Sequence, residues 1–274
     1  MIDIYRMALK ASVLAGMEIM KVYEQHDFSI EIKPDNSPVT QADRRSSQII
    51  THLLAQFSIP IIDEEIDCPD YFNRKQWEQL WLVDPMDGTK EFISRNGEFT
   101  VNIALIENCK PIFGVIYAPV LGELYFGGIK TGAFKVTNIF DSSGVENLEK
   151  NAIALMPEAN KQLVLRVAAS RSHMDKNTLK FIENLKVNHT IEFISKGSSL
   201  KLCMIAEGLI DIYPRFSRTM EWDTAAGHAI VCGTGGTLVE STDFVELNYN
   251  KVDISSPAFI ALSKNIKPEF IKEF

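Results

Sequence analysis

Residues 81–92 read WLVDPMDGTKEF. An apolar run of the kind that forms a buried strand breaks at Asp84 and Asp87, with Pro85 and Gly88 around them. Proline cannot donate a ladder hydrogen bond, so Pro85 predicts that the strand stops and a turn follows. A turn of that kind aims both carboxylates at one point. Two carboxylates so placed repel each other unless a cation or a proton lies between them. The stretch is therefore a candidate metal site.

Two other segments supply acids in similar settings. IIDEE carries Glu64 and Glu65, and EWDTAAG carries Asp223. Both read as strand ends, pointing their carboxylates the same way as Asp84 and Asp87. Hard divalent cations such as Mg²⁺ take oxygen ligands, often a few carboxylates completed by water and substrate phosphate. Gly88 and Thr89 open GTKEFISR, which reads as a helix N-terminus. Such a terminus offers free N–H groups and the positive end of a dipole to an anion, and glycine lets the ligand come close. Asp87 acting only as a helix cap would leave Asp84, Glu64 and Asp223 unexplained. Acids for a metal, followed at once by an anion-binding turn, point to metal-assisted chemistry on a phosphate.

Outward from this stretch the chain alternates strands and helices. FSIEIK alternates like a strand, KPDNSP is a loop, and residues 42–57 carry Ile49, Leu53 and Phe57 at helical spacing. PIIDEEID is a short strand. Residues 99–136 are β-branched and aromatic, broken every eight to twelve residues by Asn, Gly or Pro, which predicts an antiparallel meander. After a weak stretch near 140–160, LVLRVAASRS, IEFISKGSS, LIDIYPR and GTLVE read as strands. KNTLKFIENL, SLKLCMIAEG and the segment opening at EWDTAAG read as helices. The fold class is thus α/β of mixed α+β character. An α+β half, residues 1–148, precedes a smaller α/β half, residues 149–274.

The composition bounds the function. A chain of 274 residues suits one large domain or two subdomains and can bury a substantial core. A net charge of −8 argues against a general nucleic-acid surface, which needs cations in excess. A few local cations can still seat a small phosphate-bearing ligand. Cys68, Cys109, Cys203 and Cys232 include no CxxC pair and read as reduced, mostly buried thiols. Asp3, Arg6, Lys10 and Glu18 interrupt the N-terminal segment, so it is not a secretory signal. Ile4, Ala8, Ala11, Leu14 and Ala15 make it an amphipathic helix that packs on the core, with membrane-surface binding as the alternative. No apolar run is long enough to span a bilayer.

Taken in order, the motifs resemble those of the inositol monophosphatase superfamily of Mg²⁺-dependent, Li⁺-sensitive phosphatases. DPMDGT resembles its first signature, WDTAAG its second, DEE its paired glutamates, and PVTQAD its N-terminal element ending in Asp43. They cover residues 38 to 240. Within the superfamily the chain is most similar to the 3′(2′),5′-bisphosphate nucleotidases of the CysQ type. VDPMDGTKEFI, ASRSH, GSSLKLCMIAEGLIDIYPR and TMEWDTAAGHAIV all follow that variant.

The resemblance implies a layered αβαβα sandwich of the sugar-phosphatase type, with the active site between the two halves. It implies that Glu64, Asp84, Asp87, Asp223 and the Met86 carbonyl hold two to three Mg²⁺ ions. Gly88 and Thr89 would seat the scissile phosphate. Asp43 and Thr89 would relay the proton of the attacking water, with Glu64 helping to orient it and Asp223 facing the substrate as well. Transfer goes directly to water, with no phosphoenzyme. Ser198, Lys201 and Arg215 would bind a 5′-phosphate, a task suited to a forked guanidinium, and His173 would lie near the nucleotide. Asp63 departs from the pattern, since a small residue is commoner there, and adds a charge beside the metals.

Against these roles, Lys201 and Arg215 could be solvated surface cations, and His173 could be structural. His26, His52, His189 and His228 read as structural or surface residues. GTGG at 233–236 lacks dinucleotide-loop spacing and reads as a turn.

The implied reaction is removal of the 3′-phosphate from adenosine 3′,5′-bisphosphate, with phosphoadenosine phosphosulfate as a further substrate and a place in sulfur metabolism. The alternatives are an inositol- or sugar-phosphate phosphatase and a non-catalytic regulator that binds the bisphosphate nucleotide. The ligand is a small nucleotide, no stable protein partner is implied, and the chain is a monomer or homodimer. The expected location is cytoplasmic, with peripheral attachment to the inner face of the membrane as the alternative.

Overall fold

The structure is a computed structural model that describes residues 2–25, 30–32, 38–141, 147–148, 150–158, 164–168 and 175–272. KPDNSP, apart from Pro38, falls outside these residues, as does ASRSH with His173; His26 lies outside them too.

The first half runs α1 (Asp3–Tyr23), β1 (Ile30–Ile32), β2 (Pro38–Thr40), α2 (Gln41–Leu54), β3 (Ile61–Asp63), α3 (Tyr71–Arg74), β4 (Gln79–Asp87) and α4 (Thr89–Ile93). It continues through β5 (Thr100–Glu107), β6 (Lys110–Ala118), β7 (Glu123–Gly128), β8 (Gly132–Val136) and β9 (Ile153–Ala154). Strands β3 to β9 form one seven-stranded sheet in sequence order. Only β3 and β4 pair in parallel; the rest is the predicted meander. Its last strand, β9, lies past residue 148.

The second half runs β10 (Val164–Ala168), α5 (Lys176–Asn188), β11 (Thr190–Ile194), α6 (Leu200–Glu207), β12 (Ile212–Arg215), β13 (Thr219–Met220) and α7 (Glu221–Gly233). It closes with β14 (Thr237–Glu240), β15 (Ser255–Ser256), β16 (Phe259–Leu262) and α8 (Pro268–Ile271). The second sheet has the order β11-β10-β12-β16-β14, parallel around β10 and antiparallel about β16. The sequence reading has no counterpart of β16. All four of its residues are buried, so no alternation marks it.

Side-chain alternation along β4 shows how the layers stack. Trp81 and Val83 point to one face, where they meet Leu9 and Ala11 of α1 and Ile50 of α2. Leu80 and Leu82 point to the other face, where they meet Leu202 of α6 and Ala225 and Ala226 of α7. Those helices contact Tyr213, Phe259 and Ala261 of the second sheet on their far side. The outer face of that sheet, Val167, Ile212 and Ile260, is covered by Phe181 and Leu185 of α5 and Ile271 of α8. The result is five layers, αβαβα. Each fully buried Leu, Ile or Phe contributes about 1.5–3 kcal/mol relative to exposure. Close approach at Gly114 seats α7 on the first sheet: a Cβ there would lie 2.2 Å from the Ala226 carbonyl oxygen.

Pro85 does not end its strand. β4 continues to Asp87, and its pairing with β5 slips between Asp84, opposite Asn102, and Asp87, opposite Thr100. Three steps on β4 match two on β5, which is a one-residue bulge placed where Pro85 has no N–H to give. Residues three apart on a regular strand face opposite ways. The extra residue restores parity, so Asp84 and Asp87 share the face of Leu80 and Leu82. Both carboxylates therefore enter the layer of α6 and α7. The turn expected from the sequence is a bulge, and the convergence of the two acids follows from it.

Candidate active site

At the end of that middle layer, Glu64, Asp84 and Asp223 each present an oxygen, all within 4.8 Å of one another. Glu64 follows β3, and its N–H donates to the Val83 carbonyl at 3.2 Å, which sets it beside Asp84. Asp84 is buried, and its Oδ1 accepts from the Met86 N–H at 3.0 Å. Of the two sequence readings of Asp223, a strand end and the opening of a helix, the second holds. Asp223 lies in the first turn of α7, where its Oδ2 accepts from the Met220 N–H at 2.8 Å.

These acids are held against their own charge. Burial, then the charges of Glu64 and Asp87, drive the Asp84 carboxyl well above its ordinary range. Burial and Asp87 push Asp223 up to about 8, against the pull of the Met220 amide and Arg215. A hard cation among the oxygens would relieve both the repulsion and the desolvation, so the donor set fits a divalent metal. The Met86 carbonyl accepts from the Thr89 hydroxyl at 3.5 Å.

Asp87 is adjacent but has a second tie. Its Oδ2 accepts from the Ser199 hydroxyl at 2.6 Å, the Ser198 hydroxyl at 3.0 Å and the Asn102 amide at 3.5 Å. Ser198, with φ of 52°, also lies 2.7 Å from the Thr100 hydroxyl. Thus Asp87 ties the first sheet to the start of α6. The sequence assigns Ser198 to a distal phosphate; the structure sets its hydroxyl against Asp87 and Thr100. It assigns nothing to Ser199, Asn102 or Thr100, because single polar residues next to a motif carry no signal of their own.

Asp63 faces inward and is buried. Its Oδ2 accepts from Ser47 of α2 at 2.9 Å, and its Oδ1 accepts from the Glu65 N–H at 2.8 Å. It braces the turn that presents Glu64.

Asp43 and Thr89 meet across the two helices α2 and α4. The Thr89 hydroxyl donates to Asp43 Oδ1 at 3.0 Å. Asp43 Oδ2 accepts from the Thr40 N–H at 2.7 Å and the Thr40 hydroxyl at 2.8 Å, so the carboxylate cannot rotate away. Burial raises Asp43 to about 6, even though these donors oppose it. Gly88 has φ of +97°, and a Cβ there would press on the Glu98 carbonyl at 3.2 Å, so glycine is required where the chain enters α4.

Beside the acids opens a cavity of about 630 Å³. Asp87, Glu91, Asp175 and Asp223 bring acid to its lining, Leu202, Tyr213 and Phe259 supply apolar surface, and Lys90, Lys201, Arg215, Arg218 and Lys196, the last paired with Glu98 at 3.2 Å, bring positive charge. Lys201 is nearly buried; its Nζ donates to the carbonyls of Lys196 at 2.9 Å and Ser198 at 2.8 Å and lies 5.3 Å from the centre of the Tyr213 ring. Arg215 Nε and Thr219 Oγ1 are buried without a hydrogen-bond partner at the cavity wall. Lys90, Lys196, Arg218 and Tyr213 escape sequence reading, because a lone Lys or Arg is most often solvated. All four cysteines are free; Cys68 and Cys109 are exposed, contrary to the expectation of mostly buried thiols.

The sequence matches the inositol monophosphatase family over residues 3–274. It is 44% identical over 224 residues to a 3′(2′),5′-bisphosphate nucleotidase CysQ of Shigella flexneri, covering 81% of this chain and 84% of the relative. A crystal structure of CysQ from Bacteroides thetaiotaomicron, described as a bacterial member of the inositol monophosphatase family, superposes with a TM-score of 0.86 at 45% identity, covering 94% of this chain and 96% of that one. A Thermotoga maritima IMPase shares the fold, with a TM-score of 0.72 at 24% identity over 97% and 94% of the two chains. The family match over nearly the whole chain, together with relatives of 44–45% identity, shows that this chain belongs to the inositol monophosphatase family.

Proposed function

We propose that this chain is a 3′(2′),5′-bisphosphate nucleotidase, a metal-dependent hydrolase that removes the 3′-phosphate of adenosine 3′,5′-bisphosphate to leave AMP. One observation carries the choice of substrate. The acidic cluster and the cavity are continuous, since Asp223 belongs to both and the adjacent Asp87 lines the cavity. A ligand with a phosphate at each end fits that polarity. An inositol monophosphate has no second phosphate to meet Lys201 and Arg215, and a pure binding protein has no use for the Asp43–Thr89 pair.

Glu64, Asp84, Asp87, Asp223 and the Met86 carbonyl would hold the cations, two to three Mg²⁺ by family resemblance. Bound there, Mg²⁺ supplies charge neutralisation at the phosphate and makes a water acidic at neutral pH. The protein's own part is proton handling and positioning. Thr89 Oγ1 gives its proton toward Asp43 Oδ1 and takes one from the attacking water. Asp43, raised by burial to about 6, is poised to accept it. Glu64 orients that water, and the amides of Gly88 and Thr89, at a helix start and so without intrahelical acceptors, face the phosphate. Arg215 and Lys201 take the 5′-phosphate, with Lys90, Lys196 and Arg218 adding to the field, and Tyr213 and Phe259 offer the base an aromatic wall. Phosphoadenosine phosphosulfate has the same 3′-phosphate and would be a further substrate, which places the enzyme in sulfur metabolism. Li⁺ sensitivity and a cytoplasmic location accompany this reading. No helix among the described residues is long and apolar enough to cross a membrane.

The test is phosphate release from adenosine 3′,5′-bisphosphate and inositol 1-phosphate side by side with Mg²⁺, then with added Li⁺. A Li⁺-blocked preference for the nucleotide supports the proposal; a preference for inositol phosphate moves the protein to the inositol phosphatase alternative.

A further inference from the structure

A second group of metal-ligating side chains lies at the other end of α7. His228, Cys232 and Glu246 each offer a ligand atom within 4.8 Å of the others. His228 and Cys232 are one helical turn apart and share a face of α7. They lie ~8 and ~14 Å along the helix from Asp223 at 1.5 Å per residue, clear of the carboxylate cluster. Glu246 comes from the hairpin after β14, where Val239 bridges to Glu246 and the Leu247 N–H donates to Leu238 at 3.1 Å, so the backbone holds it opposite α7.

The histidine is prepared as a ligand. It is fully buried, and its Nδ1 lies 2.9 Å from the Tyr249 hydroxyl, which donates onward to Thr224 at 3.4 Å. With Tyr249 donating to Thr224, the hydroxyl accepts from Nδ1–H, and the Nε2 lone pair points toward Cys232 and Glu246. With the proton on Nδ1, Nε2 has none to give Glu246 Oε1, 3.3 Å away, and it is buried without a hydrogen-bond partner. Burial holds the imidazole below its ordinary range, against the pull of the Glu246 carboxylate. Orientation of a histidine through its second nitrogen is the common second-layer feature of metal sites.

We infer that His228 Nε2, Cys232 Sγ and a Glu246 carboxylate oxygen form a site for a borderline-soft divalent cation, Zn²⁺ by ligand type, with its fourth position open. Ligand atoms around a tetrahedral Zn²⁺ lie about 3.3–3.8 Å apart for bonds of 2.0–2.3 Å. His228 Nε2 and Glu246 Oε1, 3.3 Å apart, already have that spacing, and the Cys232 ligand atom lies within 4.8 Å of its partners. Binding releases the Cys232 thiol proton to water. Lys110, whose Nζ lies 3.8 Å from Glu246 Oε2, is the competitor the cation displaces.

Cobalt tests this. The metal-free protein is first given excess Mg²⁺ to occupy the active-site oxygens, then titrated with Co²⁺. One equivalent should produce a thiolate-to-cobalt charge-transfer band with tetrahedral ligand-field bands, and Zn²⁺ should abolish both. Oxygen ligands alone cannot give the charge-transfer band. Cys232→Ser should remove it while leaving phosphatase activity and far-UV dichroism unchanged, and Cys109→Ser should retain it. Tyr249→Phe should weaken Co²⁺ binding roughly 10–100-fold. No band at stoichiometric Co²⁺, or a band that survives Cys232→Ser, overturns the site.

Discussion

Gly114→Ala probes the claim that α7 delivers Asp223 to the metal cluster. A Cβ at this position would lie 2.2 Å from the Ala226 carbonyl oxygen and 2.8 Å from its Cα, both backbone atoms of α7. Nothing at the contact can rotate away, so α7 must lift from the sheet by about 1 Å to restore an ordinary contact near 3.4 Å. Asp223 rides on the same helix, one turn before Ala226. It recedes from Glu64 and Asp84 by a similar distance. Misplacement by ~1 Å at a catalytic centre costs about 10²-fold in rate. Overpacking costs about 1–3 kcal/mol in stability, which for a chain of this size lowers Tm by about 2–12 °C. The assay is phosphate release under saturating Mg²⁺, far below the melting range, with Tm measured in parallel. Gly132→Ala is the control: φ is +74° and the nearest atom is Phe134 at 3.9 Å. It carries a left-handed backbone penalty of about 1–2 kcal/mol with no displacement of α7. If Gly114→Ala keeps a rate within threefold of wild type, or loses no more than Gly132→Ala, the helix does not position Asp223 in the way described.

Asp43→Asn keeps the shape of the Thr40 and Thr89 contacts but removes the acceptor charge; kcat should fall by about 10²–10⁴-fold with KM nearly constant, and a loss under threefold removes Asp43 from the proton path. Asp87→Asn should reduce turnover at saturating Mg²⁺ by at least ~10²-fold; an unchanged rate takes Asp87 out of the metal and phosphate site. The pH dependence of metal binding follows from Asp223, whose folded value near 8 lies above its ordinary 3.8. Such a group favours the protonated form in the fold, so its own contribution to metal-free stability is fully present at low pH and is lost as pH rises toward 8. Below that value Mg²⁺ must displace this proton, and the raised Asp84 adds to the effect, so its affinity should rise by at least about tenfold per pH unit from 6 to 8. Calorimetry in buffers of different ionisation enthalpy measures this, and a pH-independent affinity contradicts it.

The strands and helices around the acids were legible because each combines a clear period with clear punctuation. The meander shows alternation interrupted by Gly and Asn, and the helices show fourfold spacing. Pro85 misled for a physical reason: its missing N–H forbids a regular ladder, yet a bulge satisfies the same constraint without ending the strand. The sequence reads Asp223 both as a strand end and as the opening of a helix, and the Met220 amide donating to its carboxylate marks the helix start. β16 carried no period because both its faces are covered. The Asp87–Ser198–Ser199 tie, the cations Lys90, Lys196 and Arg218, and the His228–Cys232–Glu246 group depend on contacts across more than a hundred residues, or on the turn that brings Glu246 back to α7. Local patterns cannot encode them. Asp63 was recognised as a departure, but only its bond to Ser47 shows that it faces inward.

The central claim is that the acids and the Asp43–Thr89 pair act on one phosphate while Arg215 and Lys201 hold another. The most direct measurement is kcat/KM of wild type and Arg215→Ala on adenosine 3′,5′-bisphosphate and on adenosine 3′-monophosphate. Loss of a charge-assisted contact worth about 1.5–3 kcal/mol predicts a 10- to 100-fold drop on the bisphosphate and under threefold on the monophosphate, which has no 5′-phosphate. Equal losses on both substrates, or none on either, would contradict the account.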